Sequence, residues 1–265
     1  MLMQRFSIFQ VDAFTNRCFA GNPAAVVPLE RWLSEDILQA IAAENNLSET
    51  AYFVPEGEGY AIRWFTPVSE VRLCGHATLA AAHVLFAHLG FAGEQLRFST
   101  REAGPLMVTR IGDQTYRLDF PADEPRPIAG LPELADILGA EPIRLFTGAD
   151  DLLAIFEDQD TIDRMRPDFG RLAALDRRGV IVSAPGREVD FVSRCFFPAY
   201  GIDEDPVTGS AHTLMTPYWA AQLGKTRLTA QQRSARRGEL TCELALDRVL
   251  LDGGAVTYLQ GEIQL

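Results

Sequence analysis

Arg63-Trp64-Phe65-Thr66-Pro67, followed by Cys74-Gly75-His76-Ala77 and an uncharged run to Leu89-Gly90, returns later in the same chain. The second copy reads Arg194-Cys195-Phe196-Phe197-Pro198, then Thr208-Gly209-Ser210-Ala211 and another uncharged run to Leu223-Gly224. The copies lie 131 residues apart at their arginines and 134 apart at their glycines, so the second has a loop three residues longer. Phe14-Thr15 and Phe146-Thr147, 132 apart, keep the same register. Three anchors in order point to an internal duplication.

In each copy an alternating stretch, Tyr60 to Phe65 and Asp190 to Phe197, predicts a strand that proline closes. Residues 76–89 and 210–223 contain no Asp, Glu, Lys or Arg. Their apolar residues occur all round the helical wheel, which predicts helices buried on most sides. Gly90 and Gly224 are expected as left-handed stops. Pro217 is expected to bend the second helix or disturb its first turn. A buried helix in a half otherwise rich in short strands implies a curved sheet wrapped round it. The expected fold is therefore α+β: two pseudo-symmetric halves, each a barrel-like antiparallel or mixed sheet round a central buried helix, meeting about a pseudo-twofold axis. Prolines 121, 125, 127 and 132 mark a linker at 121–132, between an N-terminal half (1–120) and a C-terminal half (133–265).

Composition removes several classes of function. Lysine and arginine total 24 against 36 acidic residues, a net charge of −12, so the positive footprint of a nucleic-acid binder is missing. The small cluster Arg233, Arg236 and Arg237 reads as a solvated face. No run approaches the roughly 20 apolar residues of a membrane span, and the opening MLMQRFSIFQVDAF alternates like a strand. Cysteines 18, 74, 195 and 242 form no C-x-x-C pair, which fits a reducing cytoplasm. His83 and His88 are five apart, the wrong spacing for a metal pair, and read as packed core or helix-end residues. No G-x-G-x-x-G loop follows a strand, so neither metal nor organic cofactor is expected. A homodimer is compatible with this reading.

The chemistry-bearing candidates cluster near the repeated glycines. SEDILQAIAAENN reads as an amphipathic helix with Ser34 as its cap. In the following LSETAYFV, alternation places Leu47, Glu49, Ala51 and Phe53 on one face. A carboxylate among apolar neighbours is expected to gain the raised pKa that suits a general acid/base near neutrality, although a solvated carboxylate at the strand mouth gives the same pattern. Gly75 and Gly209 each open a buried helix, whose orphan N–H groups and dipole attract an anion, and pseudo-symmetry would aim both at one cleft. Each glycine also has a simpler reading as turn geometry. His76 opens its helix and could relay a proton, or bond to backbone. In the acidic run Asp203-Glu204-Asp205 the first two read as solvated, while Asp205 stands close enough to the helix mouth to face a ligand.

GNPAAVV (21–27), NLSET (46–50), FTPVSE with CGHAT (65–78) and EDPVTGSAH (204–212) resemble the phenazine-biosynthesis PhzF-like proteins, in the right order and over nearly the whole chain. The resemblance implies the diaminopimelate-epimerase-like fold and a cofactor-independent isomerase acting on a small carboxylate-bearing substrate. It assigns Glu49 as acid/base, with His76, Asp205 and Ser210 in the site, and leaves Gly75, Gly209 and Ser210 to bind substrate. Cys74 lies where the first thiol of two-thiol epimerases of this fold would be, but its repeat partner is Thr208, which cannot act as a second base. Two alternatives follow: an epimerase with unlike bases, such as Glu49 opposed to Cys74, and a non-enzymatic binder of small carboxylates.

Overall fold

The computed structural model describes residues 4–265. The chain forms two compact units, residues 1–119 with 252–265, and residues 120–251.

The first unit contains β1 (Arg5–Ala13), β2 (Asn22–Pro28), α1 (Glu35–Asn45), β3 (Glu49–Glu56), β4 (Gly59–Phe65), β5 (Glu70–Val71), α2 (Gly75–Ala87), β6 (Gln95–Ser99), β7 (Leu106–Arg110) and β8 (Thr115–Pro121). Its sheet is mixed: β2 and β3 run parallel, as do β4 and β6, whereas β1–β2, β3–β4, β6–β7 and β7–β8 are antiparallel. The expected opening strand is β1; residues 1–3 of that stretch lie outside the described residues. Helix α2 packs against β1, β2, β3 and β7, and every residue from His76 to Phe86 is buried. A helix apolar on all sides needs such a wrapping, and each large side chain on it, such as Leu79 or Phe86, contributes about 1.5–3 kcal/mol by its burial.

The second unit contains β9 (Arg126–Pro127), α3 (Pro132–Leu138), β10 (Arg144–Thr147), β11 (Asp151–Ile155), α4 (Gln159–Arg164), α5 (Phe169–Ala173), β12 (Gly179–Pro185), β13 (Phe191–Phe197), β14 (Ile202–Asp205), α6 (Gly209–Leu223), β15 (Arg227–Gln232), β16 (Gly238–Ala245) and the start of β17 (Arg248–Gln264). The pairing pattern of the first unit recurs: β11–β12 and β13–β15 are parallel, while β10–β11, β12–β13 and β15–β16 are antiparallel. Helix α6 packs on β11, β15 and β16. The duplication read from sequence thus extends to strand order and direction. Even an ion pair repeats: Arg63 binds Glu70 through Nε at 2.7 Å, and Arg194 binds Glu204 through Nε at 2.7 Å.

Several expectations need correction. The C-terminal half does not include residues 252–265, because β17 pairs with β1 from Ala255 to Gln264 and so completes the first unit. The stretch 121–132 is not wholly a linker, since Arg126–Pro127 pairs with β10. Strand β3 is buried on both faces from Thr50 to Val54, so Tyr52, expected opposite the apolar face, lies in a core with Leu38 and donates its hydroxyl to the Leu38 carbonyl at 2.7 Å. Ser34 stands at the helix start but makes no capping hydrogen bond through its side chain. Glu204 is tied to Arg194 and Arg233 to Asp163, both Nε and NH2 at 2.8 Å, so neither is a solvated charge. Pro217 sits in the middle of α6, and the Thr213 carbonyl that loses its partner there accepts from the Asp123 N–H at 3.1 Å. Gly224 and Gly90 are both left-handed as expected, with φ 65° and 70°; Gly224 caps α6 directly, whereas α2 ends at Ala87 and the turn over Gly90 is closed by the Phe91 N–H donating to the Leu85 carbonyl at 3.0 Å. Among the described residues, no helix is long and apolar enough to cross a membrane.

Candidate active site

Glu49 is the first residue of β3, beside Ala24 of β2 in the parallel register. His76 is the second residue of α2 and is buried. Their side chains meet: Glu49 Oε2 lies 3.2 Å from His76 Nε2, a close approach that is not aligned as a hydrogen bond. Glu49 keeps 13% of its side-chain surface exposed, enough to reach a ligand, whereas His76 keeps 5%. On the other edge of the imidazole, Nδ1 lies 3.2 Å from Asn22 Nδ2 and 3.4 Å from Cys74 Sγ.

Asn22 is held there by the turn before it. Gly21 has φ +67°, and a Cβ at that position would stand 2.2 Å from the Ala13 carbonyl oxygen, so only glycine fits. The GNP motif therefore delivers an amide to the catalytic candidate 54 residues on. Burial pushes the His76 pKa down to about 3, opposed only in part by the Pro23 carbonyl. The imidazole is accordingly neutral at physiological pH and can carry a proton between its two edges without bearing a standing charge.

Gly75 and Gly209 are the first residues of α2 and α6, and neither has a positive φ. Neither helix has a side-chain cap, at Cys74 or at Thr208. In the second unit Asp205 is buried and accepts from Thr208 Oγ1, while Gln232 accepts from the Thr208 N–H at 2.8 Å and donates to the Asp205 carbonyl at 2.8 Å. Ser210 Oγ accepts from Arg178 NH2 at 3.2 Å. Arg178 in turn forks onto the buried Asp151, with Nε to Oδ1 at 2.8 Å and NH2 to Oδ2. Burial raises the Asp151 pKa, and Arg178 counteracts it.

Among the described residues, Glu49, Cys74 and His76 bring three potential cation ligands within 4.8 Å of one another. Local spacing gave no sign of this grouping, because Glu49 comes from another strand. The carboxylate approaches Nε2 of the ring and the thiol Nδ1. His83 is a core residue, bonded through Nδ1 to Tyr116 Oη at 3.0 Å and through Nε2 to Thr257 Oγ1 at 2.8 Å, and His88 ends α2 against the same threonine.

Sequence reading brought Glu49 and His76 forward and missed Asn22 beside His76 in the first unit, and Arg178, Asp151 and Gln232 around the start of α6 in the second. Asn22 lay inside a quoted motif; the other three carried no local signal.

The model of the phenazine biosynthesis-like proteins, PhzC-PhzF, matches residues 11–261. An uncharacterized isomerase of Pseudomonas aeruginosa is 53% identical over 97% of this chain and 97% of its own length. The crystal structure of a PhzF-family phenazine biosynthesis protein from Enterococcus faecalis superposes with a TM-score of 0.96 at 49% identity, covering 99% of this chain and 100% of that one. A hydroxyproline epimerase from Agrobacterium vitis, 10% identical with a TM-score of 0.62 over 98% of this chain and 93% of its own, shares the fold. With the duplicated α+β architecture and a family match over nearly its whole length, the chain belongs to the phenazine biosynthesis-like, PhzC-PhzF, family.

Proposed function

We propose that this protein is a cofactor-independent isomerase that moves a proton on a small carboxylate-bearing substrate, with Glu49 as general acid/base. The observation that carries the reading is the Glu49 carboxylate set 3.2 Å from a buried imidazole at the mouth of α2. A relative of more than half identity bears the name isomerase. In this reading Glu49 takes a proton from a carbon next to the activated group, the electron pair moves into an enolate-like system, and the proton returns at a different carbon. The N–H groups at Gly75 and His76 stabilise the charge that develops. His76, neutral at working pH, donates to or accepts from the same oxygen. In the second unit Gly209 and Ser210 are proposed carboxylate contacts. Asp205 is a positioning residue there, since its carboxylate is engaged by Thr208.

Cys74 supports a second reading. Its thiol lies 3.4 Å from His76 Nδ1, so it could act as an unlike second base in an epimerisation. Inversion at one carbon, instead of double-bond movement, distinguishes the two.

The test is an NMR screen of unsaturated and of α-chiral small carboxylates, incubated with the protein in deuterated water containing a chelator. Double-bond movement under chelation supports isomerisation, and inversion supports the Cys74 reading. Turnover that vanishes with the chelator and returns with one added metal contradicts cofactor independence. Binding without any exchange or bond movement leaves the carboxylate-binder reading standing instead.

A further inference from the structure

The duplication allows the two helix mouths to be compared position by position. The parallel pair β2–β3 begins at Ala24 and Glu49, and β11–β12 begins at Asp151 and Gly179. Glu49 therefore corresponds to Gly179, and His76, 134 residues earlier, to Ser210. Gly179 can hold no acid: a Cβ there would lie 2.2 Å from the Phe197 ring. The preceding residue, Arg178, brings a cation to this mouth, paired with the Asp151 carboxylate.

Arg178 is built in. Asp151 holds Nε and NH2, Ser210 Oγ accepts from NH2 at 3.2 Å, and the guanidinium lies 5.4 Å above the Phe197 ring. The remaining nitrogen, NH1, has no protein hydrogen bond among the described residues, and 34% of the side chain stays exposed. That exposure is toward a groove of about 670 Å³ lined by Arg126, Thr147, Asp150, Asp176, Arg177 and Arg178. Its volume is that of a small-molecule site. Among the described residues neither Arg126 nor Arg177 makes a salt bridge there; they donate to the carbonyls of Gly148 and Asp176 at 2.9 and 2.7 Å.

We infer that this groove binds a small carboxylate, with Arg178 as the specificity-determining residue and Ser210 beside it. A guanidinium whose plane is fixed by a carboxylate and an aromatic face presents its outer edge at little cost in side-chain entropy, and charge-assisted N–H to carboxylate bonds are the strong class. The choice of a carboxylate rests on the proposed function; the site itself does not depend on Glu49.

The experiment uses malonate as the probe, titrated by calorimetry into the parent, R178M, R178K, D151N and E49Q at low ionic strength. The parent is expected to bind, R178M to bind at least about tenfold more weakly as one charge-assisted contact is lost, and R178K to fall between. D151N is expected to weaken binding by less than R178M does, because it removes one of the groups that orient the guanidinium but leaves the cation in place. A purely structural Arg178–Asp151 pair would instead make R178M and D151N lose binding together with thermal stability. That result, an R178M affinity within twofold of the parent, or a parent that does not bind malonate would overturn the inference. E49Q is expected to bind malonate as the parent does, so a failure of the Glu49 mechanism and a failure of the Arg178 site give different results.

Discussion

His76 shows how far burial can fix a residue's chemistry. With its pKa pushed down to about 3, it stays neutral throughout the range in which an ordinary histidine titrates near 6.5. The expected outcome is that the His76 ring resonances, followed by NMR, do not move between pH 8 and pH 5; a midpoint near 6.5 would show an imidazolium and contradict the neutral relay. The residue scale is also where sequence reading was most uneven. Glu49 and His76 could be named as candidates because a carboxylate in an apolar strand and a histidine at a helix start are local patterns, and the resemblance to the PhzF-like proteins falls on the same two residues. Glu204 and Arg233 were misread as solvated because their partners, Arg194 and Asp163, are fixed by strand pairing and by a contact 70 residues away. Asp151 and Arg178 were invisible for the same reason: 27 residues separate them, and only the parallel register of β11 and β12 brings them together.

At the scale of elements, the sequence located α1, α2 and α6 well, since helix periodicity and the uncharged runs are signals within one segment. It did not show that β3 is covered on both faces, because that depends on α1 folding back over it. Nor could it tell which caps are made. Ser34 has the right residue type but no capping bond, whereas Asp158 accepts from the Thr161 N–H at 2.8 Å at the start of α4. Ser34→Ala is expected to leave the thermal midpoint unchanged and Asp158→Ala to lower it, because only the second leaves an orphan donor at a helix start. Equal midpoints for both variants in differential scanning calorimetry would contradict the assignment. The Pro217 turn of α6 is a further case: proline announced a broken helical bond, but the Asp123 N–H that takes the carbonyl lies 90 residues earlier.

For the whole molecule, the repeat offset gave the duplication directly, and the error at the C terminus came from a strand that leaves one unit to complete the other. Removing residues 252–265 takes away the β1 partner and the Asp252 carboxylate that binds Arg117 at 2.6 Å. The truncated chain is expected to lose amide protection across β1 and β2 in hydrogen exchange while β11–β13 remain protected; intact protection of β1 would contradict this. Acid stability is also a property of the whole chain. His76, His83 and His212 have pKa values lowered by burial to about 3, 4 and 4, below the ordinary 6.5. Their contribution is present in full above pH 6.5 and is lost as pH falls toward 4, because the unfolded chain binds protons that the folded one refuses. The urea midpoint should hold steady through this histidine range only in the triple variant H76Q/H83Q/H212Q; the parent should fall between pH 6.5 and 4 more steeply than that variant, and equal slopes would contradict the assignment. In the proposed mechanism turnover rests on Glu49. On a carboxylate that the parent isomerises, Glu49→Gln is expected to bind within about tenfold of the parent and to lower turnover by about 10²- to 10⁴-fold, the contribution of a positioned acid/base. Isomerisation by that variant at near the parental rate would make Glu49 a structural carboxylate and contradict the mechanism.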